Sequence, residues 1–466
     1  MKTGGLADVA HSLPASIHSM GADIRIIMPN YGSLNIADCD CQVVAQFEVN
    51  QDHVRLITTC IPGTSVPVIL VDCPELFARE GNPYLNSEGA PWSDNVQRFG
   101  LFSKVISLVA QNQAGISWSP TLIHCNDWQT GLALALLRNE GVDKGLVFTI
   151  HNIAYQGIFS YEDFQSLNLP DKLWSVESLE YYEQMCFLKG GITSCNQLNT
   201  VSPRFAEEIQ TTEYGFGMDG LLRTISDKLS GIINGVDIKE WSPQNDKYLT
   251  YNYDTDHLEA KAKNKLELQQ RFNFIADENI PLFASVTRLV EQKGIDLIIK
   301  IIEKLLALNV QVIMLGNGDE EIENKLLEIA RLNENKFHVI IGYDEILAHK
   351  ITAAADIYLM PSRFEPCGLN QMYSQIYGAV PIVRNTGGLS DTVENYNGEL
   401  KAENSATGFV FENSKPDELF EAITRALDCY SNKQLWRQIQ LNAMKKDYSW
   451  QSSARQYLKI YEEALR

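Results

Sequence analysis

Beyond residue 280 the chain alternates short apolar runs, rich in Val, Ile and Leu, with longer segments of helical period, and this alternation limits the folds open to it. The pattern predicts strands over residues 282–286, 310–315, 338–341, 357–360 and 380–383. Helices are predicted over 295–308 and 320–332, from about Gly368, and from Asp417 onward. A strand that leads into a helix and then into another strand of the same sheet rejoins it in parallel, through a right-handed crossover. Repetition of that unit builds a doubly wound sheet with helices on both faces.

The first half follows the same rhythm with one interruption. Strands are predicted over 24–28, 67–71, 121–124, 146–150 and 198–201, and helices over 94–110 and 128–138. Between residues 43 and 69 the apolar period falls to two, which predicts a local antiparallel excursion. The polar stretch 241–256, with Pro, Asn and Tyr and no long period, reads as a linker, and 258–272 as a polar helix after it. The expected architecture is α/β, with two Rossmann-like doubly wound domains. The first covers 1–240 and the second 257–445, and a C-terminal helix over 446–466 is expected to pack back on the first.

Charge narrows the partners. The 466 residues include 39 Lys and Arg against 59 Asp and Glu, a formal charge of −20. Such a chain repels phosphate backbones and anionic lipid, which argues against nucleic-acid and membrane binding. No apolar stretch approaches the roughly 18 residues of a membrane span, and the N-terminus lacks the apolar core of a signal peptide. The nine cysteines, an odd number, show no zinc spacing and read mostly as buried thiols of a reducing compartment. A cytoplasmic protein is expected.

Chemistry is carried by a few segments. Thr3-Gly4-Gly5-Leu6-Ala7-Asp8 recurs as Thr386-Gly387-Gly388-Leu389-Ser390-Asp391, each before a helical segment. Such turns can aim backbone N–H groups at an anion, or simply lead the chain into a helix. Arg288 and Lys293 lie in a loop after a predicted strand, where open α/β sheets bind ligands, and could serve a diphosphate or be merely solvated. His151 ends a predicted strand and is followed by the polar groups of Asn152, Tyr155 and Gln156, a place to hold a sugar. Asp127 occupies a similar position, with helix N-capping as its simplest role. Glu365, in Pro361-Ser362-Arg363-Phe364-Glu365-Pro366-Cys367-Gly368-Leu369, could accept hydrogen bonds from sugar hydroxyls or sit in a plain surface turn.

Taken together, Lys2 through Leu6, His151 through Gly157, Phe187 through Gly191, Thr200 through Pro203, Ile233 through Asp237, Arg288 through Gly294, Phe364 through Gly368 and Asn385 through Asp391 resemble the signature segments of bacterial glycogen (starch) synthases. The similarity runs in order over essentially the whole chain. It implies a two-domain GT-B glycosyltransferase with its active site in the cleft between facing domains. It further implies that glucose passes from ADP-glucose to the non-reducing end of an α-1,4-glucan such as glycogen, with retention, release of ADP, and no metal or other cofactor. The first domain would then carry the acceptor and catalytic groups, and the second would bind the nucleotide sugar. The resemblance assigns Lys2, Gly4, Gly5 and Asp8 to the nucleotide sugar, and Arg288 and Lys293 to the diphosphate. It assigns His151 and Glu365 to the glucose, with Cys367, Gly368, Leu369, Thr386 and Gly387 beside them. Asn234 falls near the sugar, Asp127 on the acceptor side and Tyr343 against adenine.

Two departures accompany the resemblance. Tyr373 stands eight positions after Glu365, where the wider superfamily often has a second Glu, and only Met1 precedes Lys2, where the family has an apolar strand. The expectation is therefore a first domain lacking its first strand, with two unpaired strand edges, reduced stability and a poorly positioned Lys2. A catalytically impaired glucan-binding or regulatory homologue is the alternative, and a pyridoxal-phosphate-dependent glucan phosphorylase a further one.

Overall fold

The computed structural model describes residues 5–32, 41–399 and 405–466. Lys2 and Gly4 lie outside the described residues. The chain divides into two compact units. Met1–Val201, Ala206–Gly235 and Trp450–Arg466 form the first, and Ser202–Phe205 with Val236–Ser449 the second.

In the first unit, strands β1 (Ile26–Pro29), β2 (Gln42–Val49), β3 (Asp52–Cys60) and β4 (Pro67–Asp72) form a sheet in the order β1-β4-β3-β2. Only the β1–β4 pair is parallel, so the antiparallel excursion falls where the period-two pattern places it. After β5 (Leu122–Asn126) and β6 (Gly145–Ile150) comes a small antiparallel sheet of β7 (Ile158–Phe159), β8 (Glu180–Tyr181) and β9 (Gln184–Cys186). Strands β10 (Gln197–Thr200) and β11 (Leu229–Gly231) then complete a parallel sheet ordered β11-β10-β6-β5. Every residue of β6 is buried, which explains its unbroken apolar run. One cover is the helix Trp450–Ala464. Its Trp450, Ala454, Tyr457, Ile460 and Ala464, three or four residues apart, share a core with Val9, Leu13 and Ile17 of the helix Gly5–Ser19 and with Val147 and Ile232. Each large apolar side chain buried there contributes about 1.5–3 kcal/mol.

The second unit holds one parallel sheet. Strands β12 (Leu282–Val286), β13 (Gln311–Gly316), β14 (Phe337–Ile341), β15 (Ile357–Met360), β16 (Val380–Arg384) and β17 (Phe409–Phe411) are ordered β14-β13-β12-β15-β16-β17. The helix Ile295–Leu306 turns seven apolar residues inward at helical spacing, and Lys300, Glu303 and Lys304 remain outside.

Two boundaries differ from expectation. Residues 241–256 are packed into the second unit rather than free as a linker. Trp241 stacks on Tyr373 with ring centroids 3.9 Å apart and on His349 at 3.7 Å, and the buried Tyr253 donates to the Tyr377 carbonyl at 2.8 Å. Aromatic rings supply this packing without any helical or strand period, so the pattern does not reveal it. The C-terminal helix begins at Trp450, because Tyr448 donates to the Thr392 carbonyl and belongs to the second unit.

Candidate functional site

The second unit gathers a charged cluster where its strand order reverses. Strands β12 and β15 are neighbours, but the chain after β12 runs to one side of the sheet and the chain after β15 to the other. Crevices at the carboxyl ends of such strands are where doubly wound sheets take ligands. The loops 287–294 and 361–369 leave from this point. They are tied together by Arg363 N–H to the Gln292 carbonyl (2.9 Å) and by Gln292 Nε2 to the Phe364 carbonyl (3.1 Å). A Cβ at Gly294 would lie 2.0 Å from the Pro361 carbonyl oxygen, and φ there is +71°. Only glycine allows that approach.

Lys293 Nζ sits 2.5 Å from Glu365 Oε2, and Ser362 Oγ donates to the same oxygen at 3.2 Å. Glu365 is buried, and the ion pair and hydrogen bond supply the partners that a polar group needs in the interior. Other cations of the region serve the framework. Arg363 makes a bidentate pair with Asp296 at 2.8 and 2.9 Å, and the buried Arg384 donates to the Ser362 and Arg363 carbonyls. Arg288 is exposed and pairs with no acidic group among the described residues.

Around this cluster, Cys367, Thr386 and Gly387 are buried, Gly368 and Leu369 half-buried. The Gly-rich turn differs from its expected anion-binding role in one respect. The Gly388 N–H donates to the Glu365 and Pro366 carbonyls at 3.2 and 3.1 Å, so this donor is already satisfied. A Cβ at Gly387 would lie 2.1 Å from the Glu365 carbonyl oxygen, so the glycines let two loops touch. The predicted helix from Gly368 begins at Asn370, whose side chain donates to the Val286 carbonyl. Tyr343, after β14, is 76% exposed.

The first unit builds a second cluster after β5 and β6. Asp127 has φ +56° and ψ 178°, a backbone region costing about 1–3 kcal/mol for a residue other than glycine. Its carboxylate does not cap the helix Trp128–Asn139. Instead Oδ1 accepts the His151 N–H at 2.7 Å and the Asn152 N–H at 3.3 Å. Enclosure by neighbouring atoms pushes its pKa up to about 7, against the lowering effect of those two hydrogen bonds. His151 Nε2 donates to Asn126 Oδ1 at 2.9 Å, and burial lowers its pKa to about 4, so the ring is neutral at pH 7. Asn234 is buried with Oδ1 unpartnered, an acceptor available to a hydroxyl. Asp8 is half-buried in the first turn of Gly5–Ser19, and Gly5 is exposed.

Sequence reading missed the support beneath His151. His124 contacts Thr149 Oγ1 at 2.6 Å and Tyr461 OH at 2.9 Å, and Thr149 donates to Asn199, which reaches Tyr457 OH at 3.3 Å. Residues from four distant segments meet here, and no local spacing signals it. Tyr84 was missed too. It lies close enough to Asp127 and Tyr155 for their charges to raise its pKa, after the larger effect of burial.

Parallel α/β units with polar groups crowded at their strand ends form a class of proteins that take small-molecule ligands there. Residues 1–224 match the starch synthase catalytic domain family, and 267–445 match the glycosyl transferases group 1 family. Glycogen synthase 1 of Methylococcus capsulatus is 50% identical over 465 residues, covering 100% of this chain and 94% of that protein. A glycogen synthase of Cellvibrio japonicus is 47% identical over 463 residues, covering 99% and 96%. The catalytic domain of starch synthase IV from Arabidopsis thaliana, solved with ADP and acarbose, superposes with a TM-score of 0.87 at 30% identity, covering 100% of this chain and 96% of that one. The chain belongs to the glycogen and starch synthase family of glycosyltransferases, and its two Rossmann-like units are those of the GT-B fold.

Proposed function

We propose that the protein transfers glucose from ADP-glucose to the non-reducing end of an α-1,4-glucan such as glycogen, with retention of configuration and release of ADP. The observation that supports it most is the Lys293–Glu365–Ser362 cluster, with exposed Arg288 beside it in sequence, at the switch point of the second unit's sheet. Arg288 and Lys293 would meet the diphosphate and stabilise the charge that develops on departing ADP, a role that needs no metal. Glu365 would hold glucose hydroxyls, and exposed Tyr343 offers a face for adenine. The Arabidopsis relative bound ADP, which favours that nucleotide.

In the first unit, neutral His151 and the Asn234 acceptor would hold sugar hydroxyls, and Asp127 would position the His151 loop on the acceptor side. Retention places the acceptor on the face the nucleotide leaves, so the departing phosphate can itself take the acceptor's proton. That reading needs no carboxylate pair of the glycosidase kind. Among the described residues no helix is long and apolar enough to cross a membrane, and we place the reaction in the cytoplasm with no nucleic-acid partner.

The test is incubation of purified protein with glycogen and either ADP-glucose or UDP-glucose, measuring released nucleotide and the anomeric configuration of the new linkage. Release of ADP with new α-linkages is expected. Faster turnover of UDP-glucose, or β-linked product, would overturn the assignment.

A further inference from the structure

The helix Asn370–Ile376 of the second unit departs from its neighbours in what it buries. The helix Ile295–Leu306 turns only apolar side chains into the core, whereas this one encloses Gln371, Ser374 and Gln375 completely. An enclosed amide or hydroxyl destabilises the fold unless it is hydrogen-bonded.

Those bonds close on themselves. Gln371 Nε2 donates to the Cys367 and Gly368 carbonyls, both at 3.0 Å, and to Thr392 Oγ1 at 3.1 Å. Thr392 Oγ1 in turn donates to the Gly388 carbonyl at 2.6 Å. The N–H of the same Gly388 donates to the Glu365 and Pro366 carbonyls, so the circuit starts and ends on the turn 365–368. One helical turn on, Gln375 Nε2 donates to the Thr392 carbonyl at 3.2 Å, and Ser374 Oγ donates to that of Gln371 at 2.9 Å. Two glycines leave the room. A Cβ at Gly368, where φ is +71°, would lie 2.4 Å from Gln371 Oε1, and one at Gly388 would lie 2.0 Å from the Cys367 carbonyl oxygen. Two of the three partners of the amide nitrogen are carbonyls, which only accept, so the amide has one orientation and Oε1 is buried without a partner among the described residues. A buried orphan costs stability, and an apolar side chain of similar size would avoid it. Packing alone therefore does not account for glutamine here.

We propose that Gln371 and Thr392 are positioning residues for glucosyl transfer, which hold the turn carrying Glu365 in register with the Gly-rich turn 386–388. The inference rests on the reaction assigned above and extends it to two residues beyond the Lys293–Glu365–Ser362 cluster. Lys293 and Ser362 hold the Glu365 carboxylate, and Gly388 holds its backbone. The circuit ties that second hold to the helix Asn370–Ile376. If the turn slides, Glu365 leaves its place beside Lys293, and a misplacement of about 1 Å can cost about 10² in rate. Neither an amide nor a hydroxyl of this kind titrates near neutrality, so the hold does not vary with pH.

Thr392→Val keeps the side-chain shape and removes the hydroxyl that links Gln371 to Gly388, whereas Thr392→Ser keeps the hydroxyl. In Thr392→Val, kcat per folded molecule with ADP-glucose and glycogen should fall about tenfold, a part of the loss that misplacement can bring. Its KM for ADP-glucose should stay within about twofold, because Arg288 and Tyr343 lie on other loops. Thr392→Ser should restore most of the parent rate. Gln371→Met should lose about 10² in kcat, and adding Thr392→Val to it should lose no more, since both break one circuit. Hydrogen exchange reads the circuit without substrate, and residues 365–372 and 386–393 should exchange faster in Thr392→Val while β13 and β14 do not change. If Gln371→Met fails to fold, the two Thr392 variants still decide. A lowered Tm with unchanged kcat per folded molecule in Thr392→Val, equal losses in Thr392→Val and Thr392→Ser, or losses that add in the double variant would overturn the positioning role. Failure of the parent to release ADP from ADP-glucose with glycogen would instead overturn the reaction assignment, and hydrogen exchange would still decide whether the two residues hold the turn.

Discussion

The two units fix their polar clusters by different means. In the second, β12 and β15 each have a strand on both sides, so the loops carrying Lys293 and Glu365 leave from backbone held by ladders on either edge. In the first, Asp127 follows β5, the end strand of its sheet, which pairs only with β6 among the described strands. The first unit's other four-stranded sheet has β1 as one of its end strands among the described residues. The His151 loop leaves β6, which is paired on both edges, and is held in addition by a side chain, the Asp127 carboxylate accepting two of its backbone N–H groups. The glycines divide the same way. Close approaches at Gly294, Gly316 and Gly387 bring loop to loop at the strand ends of the second unit, whereas Gly131 in the first lets the helix Trp128–Asn139 touch the helix Phe187–Ser194. A cluster set by backbone tolerates loss of an exposed, unpaired side chain, and one set by buried polar side chains is sensitive to protonation.

The largest effect expected from this contrast is catalytic. Arg288→Ala should lower turnover by about 10²–10³, the cost of a lost donor to a developing anion, and leave Tm unchanged because the side chain is exposed and unpaired. Lys293→Ala should lose as much turnover and also Tm, since Glu365 is then buried without its partner. Steady-state kinetics with thermal melts separates the two, and near-normal turnover in both would remove the phosphate role.

A smaller effect concerns the glycines. Gly131→Ala would place a Cβ 2.0 Å from the Phe187 carbonyl oxygen, and Gly294→Ala one 2.0 Å from that of Pro361. Each should cost about 1–3 kcal/mol in denaturant unfolding. Only Gly294→Ala should also reduce turnover per folded molecule, because it displaces Lys293. Equal turnover in the two variants would show that loop contact at the second unit's strand ends is structural only.

The smallest effect is one of pH. Burial lowers the pKa of His124 to about 3 and of His151 to about 4, from an ordinary 6.5. Between pH 6.5 and those values the unfolded chain binds protons that the folded chain does not, so their contribution is full above 6.5 and lost as pH falls. Asp127 works oppositely. Its folded pKa near 7 lies above the ordinary 3.8, so its contribution is full below 3.8 and is lost as pH rises through 7. Hydrogen exchange at pH 7 and pH 5 should show protection falling in β5 and β6 before β12 and β15, with His124→Gln reducing the difference. Uniform loss across both units would contradict the contrast.

Much of the second unit was legible because its strands are buried on both faces and its helices on one. Residues 282–286, 357–360 and the helix Glu320–Leu332 fall where the pattern predicts them. Strand β17, three residues long, is too short to carry a period, and so are the strands of the β7–β9 sheet, two or three residues each. The packing of Trp241 and Tyr253 escaped detection for the same reason.

Sequence by itself determined the parallel α/β class, the two units and the family, because hydrophobic period and long motifs are local properties of the chain. It also named the residues at the strand ends. Only the tertiary structure decided which of them meet: that Lys293 pairs with Glu365 and Arg288 does not, that Asp127 holds the His151 backbone rather than a helix end, and that Gly388 is already bonded. Hydrogen bonds and ion pairs act over about 3 Å between residues tens of positions apart, and no pattern along the chain encodes that distance.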